Sequence, residues 1–246
     1  MAAFARREGV RQIGVVLAAV GVYEIARLLM APDWVAATAN ARRIVHVEDV
    51  LSLGWEQPLQ HFFITTLPGV VQAMNVFYFL GHFVLTGVFF FWLYWTSRPA
   101  FRTFRDGFLV ATAISVVVHW LYPTAPPRVA VSSITDTLWF FDGIDIGSPS
   151  SGALSNPVAA VPSLHAGYAV GVCVGLALYA TARWLRALGV VYPFAVILTI
   201  IVTGNHFVLD ALIGYAVMAA GFLLAWVVLE RPRNRARRPE SQPEPA

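Results

Sequence analysis

Charge is scarce in this chain. Asp, Glu, Lys and Arg make up 13% of its 246 residues, about half the share of a typical soluble domain, which excludes a water-soluble globular class. Lysine is missing altogether, so all 17 basic side chains are arginine. Cysteine occurs once, at Cys173, so there is no intramolecular disulfide and no cysteine-based metal site. That single thiol reads as a small apolar packing group. Period-two alternation of apolar residues is also lacking, which argues against the strands of a membrane barrel. No repeat relates the two halves, as it does in many transporters.

What the sequence has is apolar: 58% of residues are hydrophobic and the mean hydropathy is +0.65. The apolar residues fall in runs of roughly 17 to 24, enough for a helix to cross a hydrocarbon core of about 30 Å. Six spans are expected, at about 12–30, 75–96, 107–123, 164–182, 187–204 and 206–229. The fold class is therefore all-α: a polytopic membrane protein, a six-helix bundle in a single domain over 1–230. The last two spans are joined by almost nothing and must turn tightly around Gly204-Asn205. The first span carries Glu24 and Arg27 and exceeds the usual length of a secretory signal core, so it is expected to remain as a helix despite the small residues "AATANA" at 36–41.

The arginines are placed asymmetrically. Thirteen fall on one side of the six-span arrangement, including Arg6, Arg7, Arg11 and the five of the tail. Only Arg42, Arg43 and Arg128 fall in loops on the other. By the positive-inside rule both termini are cytoplasmic. The basic balance therefore points to topology and anionic lipid, with no nucleic-acid partner implied. The tail, 231–246, is basic, Pro-rich and polar, and is expected to be disordered and cytoplasmic.

On the opposite, extracytoplasmic side, three distant segments bring ionisable groups to one depth. The third span ends in "HWLYPTAPPRVA", leaving Arg128 just beyond it. The fourth opens with "PSLH", which puts Ser163 and His165 in its first turn. The sixth opens in "TGNHFVLDALIGY", with His206 and Asp210 on one helical face four residues apart. A carboxylate at Asp210 suits the Nδ1 proton of His206, freeing Nε2 as a nucleophile. His165 stands where unpaired backbone N–H groups attract anions, and Pro162 sacrifices no helical bond there. Ser163 suits a cap or an oxyanion donor. The Arg128 fork matches two phosphate oxygens. These parts suit phosphoryl transfer with no metal and no cofactor. Ionisable groups at membrane depth are costly, so their convergence favours function over packing.

Other polar residues read more plainly. His82 and His119 are expected to be hydrogen-bonded core histidines, and His46 and His61 surface or interfacial. Glu24 and Arg27 pair with each other. Trp34, Trp92, Trp95, Trp120 and Trp184 form an interfacial belt. Asp136, Asp142 and Asp145 sit in the long 124–161 loop as solvated carboxylates rather than cation ligands. The 32–74 connection, with "HVEDVLSLGWEQPLQHFF" at 46–63, is partly amphipathic. It is expected to lie in the outer interface as a wall for a lipid.

"PSLH" at 162–165 and "HFVLD" at 206–210 resemble the second and third motifs of the type-2 phosphatidic acid phosphatase superfamily. "YPTAPPR", "PSLHAGYA" and "GNHFVLDALIGY" resemble most the branch containing inositol phosphorylceramide synthase and related inositol phosphotransferases. The resemblance spans residues 119–215. It implies a helical bundle in which His206 forms a phosphohistidine and Asp210 orients it. His165 is then the acid for the leaving group and afterwards activates the acceptor, while Ser163 and Arg128 bind phosphate. The chain departs from the common pattern twice: Leu121 stands where the first motif has Lys, and Thr199-Ile200 where the third has Ser-Arg. Asn205, next to His206, is the foremost replacement phosphate ligand, ahead of Tyr122, His119 and backbone N–H groups.

The implied partners are membrane lipids, a lipid-linked phosphate ester and an acceptor, either water or an alcohol such as inositol. A phosphatase and a phosphotransferase both fit, with the two missing cations tilting towards a diester. The competing reading is a non-catalytic lipid-binding or transport protein with a degenerate site. A structural subunit of a larger complex ranks below both.

Overall fold

A computed structural model describes residues 2–29, 31–146 and 157–230, and the fold is all-α. The helices are α1 (Ala2–Leu29), α2 (Trp34–Leu51), α3 (Glu56–Thr66), α4 (Pro68–Val76), α5 (His82–Thr96), α6 (Arg98–Leu121), α7 (Pro127–Ala130), α8 (Thr137–Asp142), α9 (Leu164–Tyr179), α10 (Arg183–Val202) and α11 (Val208–Ala225). A π-helical turn, Phe77–Gly81, joins α4 to α5 without a break, and a second, Trp226–Glu230, extends α11. The tail expected to be disordered lies outside the described residues.

Five stretches are long and apolar enough to cross a membrane: Gly9–Leu29, Pro68–Thr96, Arg98–Leu121, Arg183–Val202 and Val208–Leu229. Their exposed surfaces are crowded with Val, Leu, Phe and Trp, as lipid-facing surfaces must be. The expected fourth span is the shorter helix Leu164–Tyr179. Its 16 residues reach only about 24 Å at 1.5 Å each. The third begins nine residues earlier than its apolar run, because Ser97 caps α6 through Ala100 N–H and Pro99 suits the first turn. Arg105, expected in a loop, is thereby buried in α6. It is neutralised by Asp106 and bonded to Gln12 of α1.

The core lies between α5, α6, α9, α10 and α11, around Phe89, Phe104, Phe108, Val172, Tyr192 and Met218. Helices α9 and α11 meet at backbone level. A Cβ on Gly214 would stand 2.2 Å from the Ser163 carbonyl oxygen, and Ser163 N–H donates to the Asp210 carbonyl at 3.1 Å. Only glycine permits that approach.

The 32–74 connection is held to the bundle by its polar side and leaves Val35, Val50, Leu51, Trp55 and Phe62 exposed. Helices α2 and α3 dock onto one end of the bundle through buried polar side chains. Asn40 donates to the Pro123 carbonyl at 2.8 Å. Gln60 donates to the carbonyls of Thr135 and Val202 and accepts from Thr135 N–H, all within 2.9 Å. Two loops are stitched beneath them: Thr124 N–H donates to Val158 O, and Ala160 N–H to Thr124 O. His46 and His61 are exposed, and Glu24 pairs with Arg27. Trp95, Trp120 and Trp184 are exposed, whereas Trp34 and Trp92 pack partly against the core clusters.

Candidate active site

The turn between α10 and α11 carries the first histidine. Gly204 adopts φ +71, a left-handed conformation that glycine accepts without strain. A Cβ there would also press within 3.0 Å of Ile134 and Thr135. Asn205 and His206 N–H both donate to the Ile200 carbonyl, at 3.0 and 3.1 Å, so the turn is rigid and His206 is aimed inward, 5% exposed.

His206 Nδ1 lies 2.9 Å from the Ala160 carbonyl and 3.4 Å from Asp210 Oδ2. A carbonyl only accepts, so Nδ1 bears the proton and Nε2 keeps its lone pair. Burial of this turn holds the imidazole at a pKa of about 4, below its usual range, so it is neutral near pH 7. Asp210 also binds backbone. Its Oδ2 accepts Phe207 N–H at 2.9 Å, capping α11, while Oδ1 is buried with no partner among the described residues.

Ser163 caps α9, its Oγ accepting Ala166 N–H at 3.3 Å. That bond uses a lone pair and leaves the hydroxyl proton to offer. His165, in the first turn, sits with its ring centre 5.6 Å from that of His206. Its Nε2 is buried and unpartnered among the described residues.

Arg128 reaches the same place from α7. Its backbone N–H donates to Gly204 O at 2.9 Å, Nε to Asp136 at 3.0 Å and Nη1 to Asn205 Oδ1 at 2.6 Å. Nη2 makes no further bond among the described residues and remains for an anion. Asn205 thus positions Arg128 with its oxygen and spends its amide on Thr203 Oγ1 at 2.8 Å. Of the other two side chains considered as replacements, His119 bonds the Pro162 carbonyl at 3.2 Å and Tyr122 closes α6. Asp142, like Asp136, is engaged, accepting from Asn75 at 2.6 Å.

The structure therefore gathers all six candidates from the sequence: His206, His165, Asp210, Arg128, Ser163 and Asn205. It adds groups that sequence reasoning missed. The Ala160 carbonyl has no side-chain signature. Tyr78 stacks on His165 at 4.6 Å, and His82 stands 4.8 Å from it. Glu48 and Glu56, from α2 and α3, accept the first N–H groups of α11, Leu209 at 2.7 Å and Val208 at 2.8 Å. Burial, with the Glu56 and Asp210 carboxylates nearby, pushes Glu48 up to about 8. These carboxyl groups occupy the N-terminus of α11, so its first two N–H groups already have acceptors.

A model of the PAP2 superfamily matches residues 42–224. A curated relative, phosphoinositol dihydroceramide synthase of Bacteroides thetaiotaomicron, is 31% identical over 145 residues, covering 52% of this chain and 46% of the relative. The chain spans about half the length of that relative. No solved structure matches.

Proposed function

Because the chain belongs to the PAP2 superfamily, we propose that it is an integral membrane enzyme of lipid phosphate esters, transferring a substituted phosphoryl group through His206. The observation that carries this is the pair of imidazoles 5.6 Å apart, one with its Nδ1 proton committed to a carbonyl. Arg128 is tied to Asn205, the neighbour of His206, and Ser163 to Asp210, so cation and hydroxyl are anchored beside the two rings.

In the first half-reaction His206 Nε2 attacks phosphorus. The N–P bond forms as the bond to the leaving alcohol breaks, and a protonated His165 gives that oxygen its proton. The anion that His165 faces stabilises the protonated form. In the second half-reaction an acceptor hydroxyl loses its proton to His165 as its oxygen attacks phosphorus, and the N–P bond breaks. His206 Nδ1–H stays on the Ala160 carbonyl throughout, and Asp210 lies close enough to stabilise the charge that the ring gains.

Two features support transfer over hydrolysis. The absence of Lys at 121 and of Arg at 200 suits a diester, which carries less charge than a monoester. The relative is named a phosphoinositol dihydroceramide synthase. We place the site on the extracytoplasmic side, since the loops at this end hold few arginines. The test uses purified protein, a head-group-labelled short-chain phosphatidylinositol, and dihydroceramide or water as acceptor. Wild type is expected to form an acid-labile phosphoenzyme and a labelled acceptor lipid, with His206→Ala forming neither. Equal turnover in both proteins defeats the reading.

A further inference from the structure

His82, expected to be a hydrogen-bonded core histidine, lies in the span Pro68–Thr96 and places a second imidazole with an unpartnered nitrogen among the described residues beside His165. His82 is 2% exposed, and its ring lies 4.8 Å from His165 at an angle of 46°. Its Nδ1 is fixed by the Tyr192 hydroxyl at 2.9 Å. Its Nε2, like that of His165, is buried with no partner among the described residues. Buried polar atoms almost always find a partner, so two orphans on adjacent rings mark a place kept for a polar guest. The backbone gives a second, independent sign. The π turn Phe77–Gly81 ends just before His82 and stacks Tyr78 on His165, their ring centres 4.6 Å apart. Insertions of this kind concentrate at functional sites.

The chemistry of the guest follows from the tautomers. With Tyr192 donating to Nδ1, His82 Nε2 carries a proton; with Tyr192 accepting, Nε2 carries a lone pair. His165 also alternates between donor and acceptor across the two half-reactions. With the proton on His82 Nε2, that ring donates in both half-reactions, whereas His165 donates in the first and accepts in the second. An alcohol oxygen accepts from both rings as it leaves and, as an acceptor hydroxyl, donates to His165 while accepting from His82, which a phosphate oxygen cannot do.

We propose that His82 and His165 together form a subsite for the reacting alcohol, holding the leaving oxygen in the first half-reaction and the acceptor hydroxyl in the second. This rests on the transfer chemistry proposed above. His165 moves the proton. His82 makes one hydrogen bond to the same oxygen, directing its remaining lone pair at phosphorus, and gains or loses no proton itself.

The experiment compares wild type with His82→Phe, which keeps a ring and removes both nitrogens, and His82→Gln, which restores an amide near the Nε2 position. Two donors are used: short-chain phosphatidylinositol and a p-nitrophenyl phosphodiester, whose phenolate departs without being protonated. His82→Phe is expected to slow phosphoenzyme formation from the lipid donor by about tenfold, the worth of one hydrogen bond, and to leave the nitrophenyl donor within about twofold. His82→Gln recovers most of the lipid rate. A structural role lowers both donors equally, and that result overturns the proposal, as does a His82→Phe protein matching wild type on both. Where His82→Phe does not fold, Tyr192→Phe decides. It frees the imidazole and is expected to slow only the lipid donor, about threefold; no change, or equal loss on both donors, overturns the proposal. Wild type that turns over without a trappable phosphoenzyme defeats the His206 reading instead, and the donor comparison can still be scored on turnover.

Discussion

Two polar regions lie within a few ångströms of each other at one end of the bundle, and they are built in opposite ways. In the layer where α2, α3 and α4 dock, Gln60 makes three hydrogen bonds and Asn75 ties the Thr137 carbonyl, the Thr137 hydroxyl and Asp142 together. Glu48 and Glu56 each hold a helix N–H. Around His165 the reverse holds: the Nε2 atoms of His165 and His82, Oγ1 of Thr86 and Oδ1 of Asp210 are buried without partners among the described residues. Unpaired buried groups cost about 1–3 kcal/mol each, so the satisfied layer supplies the rigidity on which the unsatisfied pocket persists. Buried polar atoms among the described residues are thus of two kinds, bonded in the docking layer and unpartnered around His165.

The contrast is broken most severely inside the pocket. His165→Asn removes the acid and is expected to lower turnover by about 10²–10⁴-fold, while the melting temperature in detergent stays level or rises as an orphan disappears. A large fall in melting temperature would move His165 into the architectural class.

Gly214→Ala attacks the seam on which the pocket stands. Its Cβ would meet the Ser163 carbonyl at 2.2 Å, so overpacking of about 1–3 kcal/mol or more is expected, with activity falling alongside folded yield. Calorimetric or fluorescence melts read the first and specific activity the second. A protein as stable as wild type contradicts the backbone contact.

Much of the pocket was legible from residue types and helix-end positions, because His165, Ser163, His206 and Asp210 sit where capping chemistry and a four-residue spacing announce them. The rest was hidden for definite reasons. The partner of His206 Nδ1 is a peptide carbonyl, and any residue at 160 offers one. His82 and Tyr78 lie within "FYFLGHFVL", where nothing in the pattern signals a π turn. Gln60, Glu48 and Glu56 occur in an irregularly amphipathic stretch whose pattern cannot separate a surface helix from one docked through buried polar atoms. Span ends slipped for a similar reason: Arg105 and Asp106 look like loop residues until they are seen cancelling each other inside α6.

In the satisfied layer, Gln60→Ala leaves the Thr135 N–H and two carbonyls without their partner. A loss of about 1–3 kcal/mol is expected, with kcat/KM of the folded protein within a few-fold of wild type. A catalytic defect exceeding the stability defect would blur the distinction.

The mildest test is Glu48→Gln. The folded protein keeps the Glu48 proton to about pH 8, whereas the unfolded chain releases it near its ordinary value of 4.5. Between those values the native state binds more protons, so stability falls as pH rises through that window. The amide keeps an acceptor for Leu209 N–H and cannot ionise. The variant's melting temperature is therefore expected to decline less between pH 5 and 9, and parallel curves for the two proteins would refute the assignment.

Peptide pressed against peptide at Gly214 and Ser163 leaves no rotatable group between the helices that carry the two imidazoles. The spacing of the backbones that bear them is consequently a dimension of the main chain, much as the bore of a machined part does not depend on its paint. Apolar residues facing the bilayer are free to drift with lipid composition while that backbone spacing stays the same.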